Sequence, residues 1–204
     1  MNLLGSGLNS ALRRDLQRWA GSTRPVPALA AVKMIIGQPG VQAVFLLRVQ
    51  LALQARGRRR LAQAISLVNL RATGAEFLVG CRVGPGLVTR HPQGIVVGRG
   101  AVMGADCTLL HRVTLGERYG DGSNLEHDYP QLGARVVVGA GAAVLGGVRV
   151  GDDAVIGANA VVLRDVASSD VVVGVPAHST GQNRKVVAAR ESQTPPDSII
   201  GRSP

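Results

Sequence analysis

The segment VGRGAVMGADCTLLHRVTLG, residues 97–116, decides how this 204-residue chain folds. An aliphatic side chain returns every six residues, at Val97, Met103, Leu109 and Leu115. After an interruption the spacing resumes at Leu132, Val138, Val144, Val150, Ile156 and Val162. Glycine follows most of these positions, as at Gly98, Gly104, Gly116, Gly133, Gly139, Gly151 and Gly157. A period of six is neither the 3.6 of a helix nor the alternation of a plain strand; it predicts a β-helix of about 18 residues per coil. The scarcity of aromatics (2%) and the 27 glycines agree with it, because tight corners need small residues and the interior takes β-branched ones.

The regularity breaks twice. The phase slips by two residues near Pro92–Gly94, and residues 117–131, ERYGDGSNLEHDYPQ, interrupt the column after Gly116. A solenoid admits an insertion only as an external loop, and such loops commonly carry function.

Ahead of the column, Asn9 or Ser10 caps a first expected helix running to Trp19. Further helices are expected over 29–36, 41–54 and 61–70, with Gln38-Pro39-Gly40 as a turn. The expected organisation is a helical domain over 1–74, a β-helix over 75–177 and a flexible tail over 178–204, mainly β with α.

The net charge of +10 is concentrated at one end: residues 1–72 hold eleven Lys/Arg against the single acid Asp15. Such asymmetry fits a solvated helical surface first, and attraction to an anionic lipid, glycolipid or acidic carrier second. Nucleic acid is not expected as a partner, since no binding motif or interleaved aromatics accompany the charge. No cleavable leader is expected, because the charges in MNLLGSGLNSALRR follow the apolar part. The longest uncharged apolar run, Met34–Leu47, is too short for a membrane span. Cys81 and Cys107 form no disulfide or metal pattern and suit a reducing cytoplasm.

Three of the four histidines, His91, His111 and His127, fall in or beside the column before its regular coils resume. His91 and His111 are separated by one coil plus the slip, which stacks them on adjacent turns; His127 lies on the insertion. Glu76 precedes His91 by fifteen residues, a little under one coil, and is the candidate acid for it. A carboxylate that stabilises an imidazolium makes the histidine a competent base for a hydroxyl.

The runs Thr73–Glu76, Val83–Leu87, Arg90–Gly98, Leu109–Gly116, Val138–Gly147 and Val173–Ala177 together resemble the serine O-acetyltransferases. Arg14-Asp15-Leu16 and Pro39–Ala43 extend the resemblance more weakly into the helices. It implies a left-handed parallel β-helix behind a helical domain, a homotrimer or dimer of trimers, and acetyl-CoA bound between neighbouring columns. It also implies His91 as catalytic base, Glu76 as its acid and His127 as a second active-site histidine. By position, Ala142, Gly147, Ala160 and Arg164 would line the donor, and no metal is expected.

The departures bear on the acceptor. Arg90 stands where an acid is usual, Glu126 where an arginine is usual, and Thr23 near the place of an aspartate. An amino acid needs complementary charges around its ammonium and carboxylate. The expectation is therefore retained acyl transfer to a hydroxyl acceptor other than free serine, a sugar, glycan or specialised metabolite, met by Arg90, His111, Arg112 and Glu126. The family's C-terminal isoleucine, which docks into the next enzyme of cysteine synthesis, is replaced by Gly201-Arg202-Ser203-Pro204, so membership of that complex is not expected. Genuine serine acetylation is the alternative. A zinc site on His91, His111 and His127, as in γ-type carbonic anhydrases, and an idle scaffold are further readings.

Overall fold

The computed structural model describes residues 8–118 and 128–182. Four helices come first: α1 (Leu8–Ala20), α2 (Ala28–Gly37), α3 (Pro39–Ala55) and α4 (Arg59–Thr73). The expected turn at 38–40 shrinks to Gln38, and Pro39 opens α3, where its missing N–H costs no helical bond. Gly74 ends α4 in a left-handed conformation (φ 76°) and hands the chain to the column. Among the described residues no single helix is long and apolar enough to cross a membrane; α2 and α3 meet at a 106° bend.

The column begins with β1 (Glu76–Phe77), β2 (Arg82–Val83), β3 (Val88–Thr89), β4 (Val96–Val97), β5 (Val102–Met103), β6 (Thr108–Leu109) and β7 (Thr114–Gly116). It continues with β8 (Gln131–Leu132), β9 (Val137–Val138), β10 (Ala143–Leu145), β11 (Arg149–Val150), β12 (Val155–Ile156), β13 (Val161–Val162) and β14 (Asp170–Val173). These strands form three parallel sheets, β1-β4-β7-β10-β13, β2-β5-β8-β11 and β3-β6-β9-β12-β14, so the chain visits each sheet once per coil. The second residue of each hexad pair points inward: Phe77, Val97, Leu115, Val144 and Val162 are buried in a file, as are Leu109, Val138 and Ile156. The glycines after them permit coil to lie on coil. A Cβ at Gly84 would stand 2.7 Å from the backbone of Gly104, and one at Gly104 2.5 Å from that of Gly133.

The register measures both irregularities. Glu76 lies opposite Val96 and Val88 opposite Thr108, a step of 20; Val96 lies opposite Thr114, a step of 18. The corner between β3 and β4 therefore holds two extra residues, as the sequence phase requires. Val102 lies opposite Gln131, a step of 29, so the insertion adds eleven residues to one coil. Residues 178–182, expected to open a flexible tail, form a strand instead. β15 (His178–Gln182) returns antiparallel beside β14 and covers what would otherwise be an open sheet edge.

Three of the eleven basic residues at the chain's start, Arg14, Arg18 and Arg48, join the helices to the column. Arg14 makes two hydrogen bonds to Asp106, each 2.9 Å. Arg18 donates to the carbonyl oxygens of Gly86 and Cys107 and to Thr108 Oγ1. Arg48, from α3, donates to Asp15 of α1 and to the carbonyl oxygens of Val83 and Gly84 on the first coil. Polar side chains on α3 and α4 add Gln50 Nε2 and Ser66 Oγ, both donating to the Phe77 carbonyl oxygen.

Candidate active site

The extra-long corner between β3 and β4 presents His91 to solvent. Its backbone is left-handed (φ 62°), a region where a non-glycine residue is uncommon and carries strain. It stands apart from the ordinary corner file, in which Gly94, Arg112, Gly141 and Asn159 share positive φ on successive coils. The two added residues thus create one further bend, and His91 occupies it.

One coil above, His111 follows β6 at the equivalent place. The two imidazole rings stand edge to face, centroids 6.3 Å apart and planes at 78°. The step of 20 explains the meeting, because it stacks residue 111 over residue 91. Arg112 follows, exposed, its stem packed over Gly94, where a Cβ would be 3.2 Å away. His91, His111 and Arg112 therefore share one exposed patch.

The same step corrects the expected contact between Glu76 and His91. Glu76 lies opposite Val96, five residues past His91, on the outward face of β1. Among the described residues no hydrogen bond or salt bridge joins the Glu76 carboxylate to the His91 ring. A separation of fifteen suits an 18-residue coil, whereas the coil that carries Glu76 is two residues longer.

Arg90, expected to meet the acceptor, has its guanidinium carbon 5.4 Å from the centre of the Trp19 ring on α1. Sequence reasoning did not couple these two positions, although Trp19 is the only tryptophan in the chain. Glu126 and His127 lie outside the described residues. The insertion's two ends meet nonetheless: Tyr129 Oη donates to Glu117 Oε2 across 3.0 Å, and its ring packs on Gly98 and Gly100.

The donor-side residues divide. Gly147 and Arg164 are exposed on the far coils. Ala142 and Ala160 are fully buried, and the correction is a physical one: their side chains fill the interior. Their carbonyl oxygens accept from Thr114 N–H and Ala143 N–H, at 2.9 and 2.8 Å. Neither offers an outward side chain to a ligand. The outward file of that sheet is instead Val96, Thr114, Ala143 and Val161. Among the described residues no group of three or more His, Cys, Asp or Glu is arranged to hold a metal.

Residues 129–164 match the bacterial transferase hexapeptide family, described as six repeats. The column is accordingly a left-handed parallel β-helix. A serine acetyltransferase of Mycobacterium tuberculosis is 40% identical over 175 residues, 86% of this chain and 74% of that protein. The crystal structure of Neisseria gonorrhoeae serine acetyltransferase superposes with a TM-score of 0.78 at 31% identity, covering 92% of this chain and 70% of its own. Serine acetyltransferase from Brucella abortus, in complex with coenzyme A, gives 0.75 at 31% identity, covering 85% and 68%. These relatives overturn the expectation that the reversed charges at Arg90 and Glu126 mark a sugar, glycan or specialised metabolite as acceptor. Similarity to enzymes named for serine covers 86% of this chain in the first and 92% in the second.

Proposed function

This chain belongs to the serine acetyltransferase family, and we propose on that footing that it transfers the acetyl group of acetyl-CoA to the hydroxyl of L-serine. The observation that carries the reading is the 40% identity over 175 residues, which spans helices and column alike. A solved relative from Neisseria gonorrhoeae is a complex with serine, and one from Brucella abortus a complex with coenzyme A.

In this reading His91 accepts the serine hydroxyl proton as the oxygen attacks the thioester carbonyl. The tetrahedral intermediate then expels the CoA sulfur, which takes the proton from His91. The exposed, strained corner gives the imidazole access to both substrates. His127 assists from the insertion. His111 and Arg112, beside His91, meet the acceptor; an arginine suits its carboxylate.

The donor lies along the outward file of Thr114, Ala143 and Val161, with Gly147 allowing close approach and Arg164 available to its phosphates. We assign the assembly as a homotrimer whose columns enclose the donor between them. The cytoplasm is its proposed compartment, consistent with two unpaired, buried thiols.

Purified protein mixed with acetyl-CoA and L-serine should release free CoA thiol and form O-acetylserine by mass spectrometry. Thiol release at the uncatalysed rate across L-serine concentrations would overturn the assignment.

A further inference from the structure

The corner that carries His91 is held from both sides, by different devices. Downstream, backbone bonds tie it into the column: Gly94 N–H to the Gly74 carbonyl oxygen at 2.8 Å, Arg112 N–H to that of Gln93 at 2.9 Å, and Ile95 N–H to that of Pro92 at 3.1 Å. Upstream, the ties run to the helices. Thr89 Oγ1 donates to the Gly40 carbonyl oxygen on α3 at 3.0 Å. The Trp19 ring is seated so tightly on Gly40 that a Cβ there would come within 2.8 Å of it. Arg90, the residue before His91, then lies over that ring at 5.4 Å.

We propose that Arg90 is a positioning residue: with Trp19 it clamps the His91 corner to helix α1 and so sets the aim of the catalytic imidazole. A guanidinium stacks on an indole more effectively than any other cation–aromatic pair among side chains. Among the described residues the other non-glycine residues with a left-handed backbone stack in two corner files, Arg112 with Asn159 and Asp106 with Arg135, Asp153 and Ser169; His91 belongs to neither, so its orientation depends on what fixes its two neighbours. Pro92 is buried in the column on one side; Arg90 is exposed and has the indole as its partner on the other. The helical domain thereby acts on the reaction through two side chains that touch neither substrate.

This inference rests on the proposed acetyl transfer to serine, and its test has a readout independent of turnover. Trp19 is the chain's only tryptophan, so emission reports the clamp directly. In Arg90→Gln the uncovered indole should emit at longer wavelength in the substrate-free protein. Its kcat should fall about tenfold with KM for L-serine and acetyl-CoA unchanged, as expected when a reacting group is misaimed rather than unbound. Arg90→Lys, which keeps a cation, should recover most of both signals. Trp19→Phe should keep most of the turnover, and Trp19→Leu combined with Arg90→Gln should be no slower than Arg90→Gln alone. A raised KM for serine at unchanged kcat would make Arg90 an acceptor contact and overturn the proposal. Unchanged emission in Arg90→Gln, or additive losses in the double variant, would overturn it as well. If Trp19→Leu does not fold, the two Arg90 variants decide alone. Wild-type protein inactive on serine would remove the proposed reaction, leaving the emission shift to judge the clamp.

Discussion

The guanidinium of Arg48 and the carboxylate of Asp15 meet at 2.7 Å with 3% and 4% of their side-chain surfaces exposed. The pair joins α3 to α1, and both members reach the first coil. Arg48 donates to the carbonyl oxygens of Val83 and Gly84 at 2.8 and 2.7 Å, and Asp15 accepts from Leu87 N–H at 2.8 Å. Arg48→Met would leave the carboxylate buried without its countercharge, at a cost of about 3–5 kcal/mol. Asp15→Asn/Arg48→Met should lose less than the sum of the single changes, because no charge remains stranded. Urea unfolding followed by circular dichroism checks both statements.

The two thiols should be inert in the folded protein. Burial pushes Cys81 up to about 12 and Cys107 up to about 11, from an ordinary value of 9.0. Cys107 Sγ also donates to the Gly133 carbonyl oxygen at 3.3 Å. A thiol-specific reagent at pH 8 should label both only in urea. The folded state holds these protons more tightly than the unfolded chain does. Their contribution to stability is thus complete below pH 9 and is lost as pH rises towards 11–12. The urea midpoint should accordingly fall across that window, and less steeply in Cys107→Ala.

Tyr129 closes the base of the insertion that includes His127. Tyr129→Phe removes its hydrogen bond to Glu117, worth about 1 kcal/mol, while keeping the ring on Gly98 and Gly100. Trypsin should then cut after Arg118 faster than in the wild type, with the global urea midpoint little changed. Equal cleavage rates would show that the phenol does not restrain the loop.

The hexads made the column legible because each coil repeats the same inward residue, and the two-residue slip predicted the step of 20 between Val88 and Thr108. The stacking of His91 and His111 followed from the same arithmetic. The pairing of Glu76 with His91 did not survive, because a separation in sequence becomes a contact only through the local step, and that coil is longer. The buried places of Ala142 and Ala160 were readable in principle from their position two residues before the inward aliphatic of each hexad. Contacts between helices and column, such as Arg48 with Asp15 or Arg90 with Trp19, join distant residues that no periodicity links. The same holds for Arg90, whose charge suggested an acceptor contact. A charge in sequence says nothing of the partner it meets, and Arg90 meets an indole.

In the proposed reaction His91 takes the proton from the serine hydroxyl. The most direct measurement is the rate of CoA release with L-serine by His91→Gln, on protein shown by circular dichroism and urea midpoint to be folded. His91 is exposed, so the change should leave the fold intact. Its kcat should fall on the order of 10²–10⁴-fold with acetyl-CoA binding retained. Turnover of L-serine at the wild-type rate in His91→Gln would contradict it.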